Sequence, residues 1–249
     1  GVAYSNEKGD WQRKTFTSRQ DNVTITKIEQ SSLGEKINMT ISIDDISSMN
    51  QATTSGFCEV QKMKYKKLVP ESADYIAQVA HYPSYEGSEL KEGGYAGVTQ
   101  VITVGGTKER VVLADTGESF NVGKDRNPAI KIEGASEVYL ITQSNRTHEM
   151  GTLEEFNNQT EYPLLEELLD NTRAVAENPD YQTDGSFDYD KALAPHAKLH
   201  GDQFNAVKFT LDGDEQDKQI SNEALIAKQK NDKSRLNHAL IERAYNAGR

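Results

Sequence analysis

Apolar and polar positions alternate with period two in short runs over the first two-thirds of the chain. Ile37, Met39, Ile41 and Ile43 alternate with Asn38, Thr40, Ser42 and Asp44, which predicts a strand with one buried face. Val23 and Ile25 begin a similar run. Val98–Val104 (VTQVITV), Val111–Leu113, Ile130–Ile132 and Val138–Ile141 follow at short intervals, with Gly93-Gly94 and Gly105-Gly106 as turn signals between them. Two adjacent glycines accept the positive φ of a primed turn, so Gly105-Gly106 predicts a tight hairpin joining VTQVITV to KERVVLA. Many short strands with frequent turns favour an antiparallel sandwich over a parallel α/β sheet.

The period changes near Thr152. PLLEELLDNTRAVAEN, from Pro163, sets Leu164, Leu165, Leu168, Leu169 and Val175 at helical spacing, with Pro163, Glu166 and Glu167 suited to a first turn. A polar stretch, NPDYQTDGSFDYD, predicts a loop, and Lys191–Leu199 a short helix. Val207, Phe209 and Leu211 alternate with Lys208, Thr210 and Asp212, which predicts one more strand. From Gln219 to Arg249 helix formers dominate, with Leu236, Leu240 and Ala244 at spacing four and Ile241 beside them. The pattern predicts a mainly β chain: an antiparallel β domain over residues 1–213 with a helical insertion at about 160–200, then helical segments over 214–249.

The 249 residues carry 28 Lys+Arg against 39 Asp+Glu, a formal net charge of −11. That balance argues against a sequence-independent nucleic-acid binder, which needs clustered cations. The one short basic cluster is KMKYKK, Lys62–Lys67. No run approaches the roughly 18 apolar residues that span a bilayer. A single cysteine, Cys58, forms no internal disulfide. The chain starts at Gly1 without Met, which fits a trimmed or processed chain with or without a removed export signal, so the N-terminus leaves the compartment open. Asn22, Asn38, Asn145 and Asn158 each open an N-x-Ser/Thr triplet, a pattern that also arises by chance.

Candidate chemistry is sparse. His196 and His200 stand four apart in HAKLH, but the intervening Ala-Lys-Leu lacks the glutamate of a zinc-protease helix, so both are read as surface or structural residues. Asp180, Asp184, Asp188 and Asp190 around Gly185 do not have the spacing of a calcium loop and are read as solvated, as are Asp212 and Asp214. No Gly-x-Ser-x-Gly elbow occurs, Cys58 has no adjacent His, and Gly93, Gly94 and Gly97 do not form a phosphate cradle. No cofactor, metal or catalytic residue is therefore assigned. Tyr82, Tyr85 and Tyr95 are the carbohydrate-binding candidates, because flat aromatic faces match the apolar face of a pyranose.

Four segments carry a resemblance to a known family. RKTFTSRQDNVTITKI (Arg13–Ile28) resembles its Arg-x-x-Phe-x-Ser-x-x-Asp-Asn-Val strand, GGYAGVTQVITVGG (Gly93–Gly106) its strand and hairpin, and IEGASEVYLITQSNRT (Ile132–Thr147) its Gly-Ala-x-Glu-Val strand. HAKLHGDQFNAVKFTL (His196–Leu211) is similar to its His-to-Phe segment, and the tail NHALIERAYNAGR (Asn237–Arg249) to the helix that opens its barrel. The family is glycoside hydrolase family 95, α-L-fucosidases and α-L-galactosidases. The resemblance implies an N-terminal β-supersandwich followed by a helical linker to a C-terminal (α/α)6 catalytic barrel, which would hold the general acid Glu and a carboxylate-activated Asn. This chain would then be non-catalytic, shaping a secreted or periplasmic enzyme that acts on fucosylated or galactosylated glycans, with exposed linker helices able to pair two copies. A stand-alone carbohydrate-binding sandwich is the alternative.

Overall fold

The computed structural model describes residues 1–7, 9–30, 35–43, 64–81, 94–114, 127–146 and 161–248. These residues fall into two compact units, Gly1–Pro195 and His196–Arg249. The chain is mainly β, with antiparallel sheets and, among the described residues, four α-helices. Among those residues no helix is long and apolar enough to cross a membrane.

The first unit contains β1 (Val2–Asn6), β2 (Gly9–Thr17), β3 (Thr24–Gln30), β4 (Ile37–Ile41), β5 (Lys64–Leu68), β6 (Tyr75–His81), β7 (Gly94–Val104), β8 (Thr107–Val112), β9 (Pro128–Ala135) and β10 (Glu137–Arg146). Seven strands form one sheet in the order β1-β2-β3-β10-β7-β6-β5, and three form another, β4-β9-β8. The alternating runs identified from sequence are β3, β4 and β7–β10. The described part of the basic cluster is β5, at the end of the large sheet among the described residues, where Lys67 is buried and its Nζ donates to Asn127 Oδ1 at 3.3 Å.

Because side chains alternate across a strand, the large sheet buries both faces. Ile28, Ile76, Val101 and Val138 point to the small sheet and pack with Ile37, Ile130 and Ile132. Ile25, Tyr139 and Ile141 point the other way. There they meet helix α1 (Glu161–Ala176), a 3-10 turn (Pro179–Tyr181), a small hairpin of β11 (Gln182–Thr183) and β12 (Ser186–Phe187), and the start of α2 (Tyr189–Asn205). Leu164, Leu165 and Leu168 of α1 seal the same face against Ala77, Val79, Ala96 and Val98. The unit thus has three layers: small sheet, large sheet and helices.

In this unit two expectations from the sequence do not hold. Gly105 and Gly106 do take positive φ, 67° and 68°, but the strands they join do not pair: β7 lies in the large sheet and β8 in the small one. The turn carries the chain from layer to layer. Lys108, just past the turn, reaches back to Val101 O at 2.8 Å and Asp74 Oδ1 at 2.5 Å. The stretch read as a loop folds into β11–β12 around Asp184-Gly185, whose φ values of 51° and 78° fit a two-residue primed turn.

Polar links tie the helical layer to the sheet. The Tyr181 hydroxyl lies 3.1 Å from an Asp21 oxygen that also accepts the Ser18 hydroxyl at 2.7 Å. Burial, followed by the hydrogen bond to Asp21, pushes the Tyr181 phenol up to about 12. On the sheet itself Glu29 and Glu137 are direct cross-strand partners, and Lys27 lies 2.8 Å from one and 2.9 Å from the other. Burial alone would lower the Lys27 ammonium, but the two carboxylate hydrogen bonds outweigh it and raise it well above the usual lysine range.

In the second unit, residues 207–211 are not a strand. Val207 is exposed, the Phe209 ring lies against Tyr245 at 4.7 Å, and the Leu211 N–H donates to the Glu242 carboxylate. The C-terminal helical stretch is two helices, α3 (Asn222–Asn231) and α4 (His238–Gly248). An Asp232 turn that accepts Ser234 N–H at 2.9 Å breaks them apart. Leu236 therefore precedes α4 instead of sharing a helix face with Leu240, and it is 68% exposed. Asp217 and Asn237 join the two helices: Asn237 donates to Asp217 at 2.6 Å, and Asp217 pairs with Lys228.

Candidate functional site

A groove of about 790 Å³ lies within the first unit, where the helical layer meets β7. Its origin is a mismatch in strand length. β6 pairs with β7 only as far as Tyr75↔Gln100, and Val101 N–H closes the ladder on Asp74 O at 2.8 Å. From Ile102 to Val104, among the described residues, β7 has a strand neighbour on one side only, β10. That edge is the groove floor. One wall is the last turns of α1 with the β11–β12 hairpin, and the other is the Ser72–Tyr75 segment with Lys108.

Floor and walls differ in character. Ile102 and Val104 are half-buried and pack against the core cluster that includes Phe187 of the hairpin, giving an apolar strip. The walls carry Asp74, Lys108, Arg173 and Glu177. Burial would raise the Asp74 carboxyl, but hydrogen bonds from Lys108 and Ser72, with the charges of Lys108 and Arg173, hold it below the usual range. Two neutral amides complete the lining. Gln100 Nε2 donates to the Thr172 hydroxyl at 3.3 Å, and Gln182 Nε2 donates to Ala176 O at 2.8 Å. Each amide is held through its nitrogen, so its orientation in the wall is fixed.

Among the described residues every carboxyl displaced from its ordinary range is displaced downward: Glu29, Asp74, Asp188, Asp217, Glu223 and Asp232. Each has hydrogen-bond donors that favour its ionised form.

A second, smaller pocket of about 390 Å³ opens beside β1, β2 and β4. Tyr4 and Trp11, register partners, stack there with centroids 5.9 Å apart. Trp11 also packs on the inter-sheet core. The polar Asn38 on its rim is occupied, donating to Lys36 O at 3.0 Å and accepting Gly134 N–H at 3.0 Å. Among the described residues this pocket lies at an edge of the sandwich.

Of the three tyrosines singled out from sequence, Tyr82 and Tyr85 lie outside the described residues, as do Cys58 and Asn158. Tyr95 is half-buried near the start of β7, opposite Ala80 and Arg146, at the far end of the strand from the groove. His196 and His200 stack on successive turns of α2 at 5.6 Å. Among the described residues no three His, Cys, Asp or Glu side chains are grouped to hold a metal ion. Of the aspartates weighed for calcium, Asp188 is the N-cap of α2. It accepts the Asp190 and Lys191 N–H groups at 3.0 and 3.1 Å and the Thr183 hydroxyl at 2.6 Å.

The groove residues have no common sequence signal, and the reading of the sequence missed them. Asp74, Lys108 and Arg173 stand far apart in the chain, and only the sheet crossover and the placement of α1 bring them together. No family model and no curated protein sequence matches the chain.

Proposed function

We propose that this chain is the non-catalytic N-terminal domain and helical linker of a glycosidase similar to family 95, acting on α-L-fucosides or α-L-galactosides outside the cytoplasm. One observation carries the reading. Three of the four segments that bear the resemblance supply β2 and β3, β7, and β10 with the end of β9, and β2, β3, β10 and β7 are consecutive neighbours in the large sheet, in the order β2-β3-β10-β7. Residues scattered over more than a hundred positions of sequence thus form one continuous patch of the fold. The fourth segment opens the helical unit. Fold likeness by itself does not assign chemistry; the resemblance alone places the acid and base in the barrel of the parent enzyme.

The partner in this reading is the (α/α)6 barrel. The helical unit offers it Leu199, Ile226 and Leu236 as exposed apolar side chains, and pairing of two copies would use the same residues. The experiment is to size the native polypeptide and to assay it and this chain separately on an aryl α-L-fucoside and an aryl α-L-galactoside. A larger, active parent and an inert chain are expected. Turnover by this chain that disappears on replacing one of its own carboxylates would overturn the reading.

A further inference from the structure

We propose that the groove between α1, the β11–β12 hairpin and the free edge of β7 is a binding site for a short neutral glycan. The inference deepens the reading above and rests on it for the choice of a fucosylated probe. The site itself is argued from the groove's shape, charge and lining.

Its volume of about 790 Å³ lies within the range of roughly 300–1,000 Å³ typical of ligand sites. Its lining has two cations, Lys108 and Arg173, and two anions, Asp74 and Glu177. Balanced charge gives no net attraction for a phosphate, a carboxylate ligand or a metal cation. A polyol, by contrast, needs donors and acceptors of both kinds at once. Neighbouring hydroxyls match the forked ends of Arg173, Glu177 and the Gln182 amide, and hydrogen bonds to charged groups are the stronger ones. The Gln182 nitrogen is already committed to Ala176 O, so the amide offers a ligand hydroxyl its oxygen.

The floor supplies the second half of the recognition. A sugar ring has an apolar C–H face as well as its hydroxyls, and Ile102 and Val104 offer it an apolar strip along the strand edge. On the β6 side no strand among the described residues covers that edge, because β6 begins only at the level of Gln100. An extended ligand can therefore lie along β7 with one side on the apolar strip and its hydroxyls turned to both walls. The walls are fixed before a ligand arrives. Lys108 is anchored to Asp74 and Val101 O, Gln100 to Thr172, and the hairpin to the core through Phe187. Such preorganisation lowers the entropic cost of binding.

The test is a titration of this chain with 2′-fucosyllactose, followed by backbone-amide NMR and by calorimetry. Saturable shifts of Ile102–Val104 and Gln182–Phe187 are expected. Arg173→Ala and Glu177→Gln, both at exposed positions, should each weaken binding by about tenfold. Glu166→Gln, on the outer face of α1, should leave it unchanged, and the amide spectra of all three variants check that they fold. Absence of saturable shifts, shifts that map outside the groove, or equal affinity in Arg173→Ala and the unmodified chain would each overturn the proposal. A parent enzyme fully active on α-L-fucosides with no binding here removes the groove site alone. Binding intact in a chain whose parent is inert to both glycosides removes the activity reading alone.

Discussion

Gly106 sits against Gly134 backbone to backbone. A Cβ on Gly106 would come 2.3 Å from Glu133 O and 2.6 Å from Ala135 N, whereas one on Gly105 would meet nothing within 4 Å. Gly134 is itself at positive φ in β9, where the register with β4 shifts between Ile37 and Met39. The turn that leaves the large sheet is thus seated on an irregularity of the small one.

Both turn glycines are left-handed, so alanine strains either, but only at 106 does the methyl also collide with backbone. Gly105→Ala should cost about 1–2 kcal/mol and Gly106→Ala at least about 3 kcal/mol. Urea denaturation of the two variants measures the difference, and equal costs would mean that the layer crossing is not tightly packed.

Lys27 is the charge that lets Glu29 and Glu137 stand opposite each other. Lys27→Met should cost about 2 kcal/mol at neutral pH, below the usual cost of breaking a buried pair, because these side chains keep some exposure. The pH profile gives a second readout. The Glu29 carboxyl is held below its ordinary 4.5, by the Lys14 and Lys27 hydrogen bonds against the opposing effect of burial. The unfolded chain therefore binds this proton more readily. The stabilisation is present above about pH 4.5 and is lost as pH falls through the folded value. Lys27→Met should flatten that acid limb. Lys27 itself shifts upward from 10.5, so its own contribution is complete below that pH and fades only as pH rises through the folded value.

Asp188 caps α2 and braces the hairpin through Thr183. Asp188→Ala should cost about 1 kcal/mol, while Asp188→Asn should lose less, because asparagine also accepts from the first-turn N–H groups. The Thr183 hydroxyl and the Lys191 N–H hold the Asp188 carboxyl below 3.8. The cap should therefore hold at full strength above that pH and weaken as pH falls through the folded value. Chemical denaturation at pH 7 and at pH 3 checks both statements.

In the helical unit Asn237 accepts Leu240 N–H at 3.0 Å and donates to Asp217 at 2.6 Å, while its own N–H reaches Gln229 Oε1 at 2.7 Å. Asn237→Ala removes the side-chain bonds and should cost that unit about 1–2 kcal/mol. Its neighbour Leu236, largely exposed, should tolerate serine within about 0.5 kcal/mol. Thermal unfolding followed by far-ultraviolet circular dichroism separates the two.

Six of the twelve described strands, β3, β4 and β7–β10, are legible because one or both of their faces are buried, and burial shows as alternation or as an apolar run. β5 was hidden because its lysines read as a charge cluster, although Lys67 is buried with an amide partner. The reverse happened at Val207–Leu211, where alternation is present but no strand forms, and Phe209 instead packs on Tyr245 within the same unit. The Gly105-Gly106 turn was readable from its glycines, whereas the change of sheet was not, because it depends on β9, a partner strand distant in sequence. The Asp184-Gly185 turn did carry a readable signal, the Asp-Gly pair, that the surrounding polar residues obscured. The groove was not legible at all, since it exists only where one strand outruns its neighbour.

β10 is the seam of the large sheet, joining β3, made long before it, to β7, made only shortly before it. Until residue 146 has left the ribosome, the ladder of β3 and that of β7 each end in an open edge with apolar side chains beside it. Closing such a long loop is slow, and the waiting edges are prone to aggregate. Synthesis halted before β10 should therefore yield two unjoined sheet fragments that depend on chaperones, and a chain released after α2 should close its core in one cooperative step.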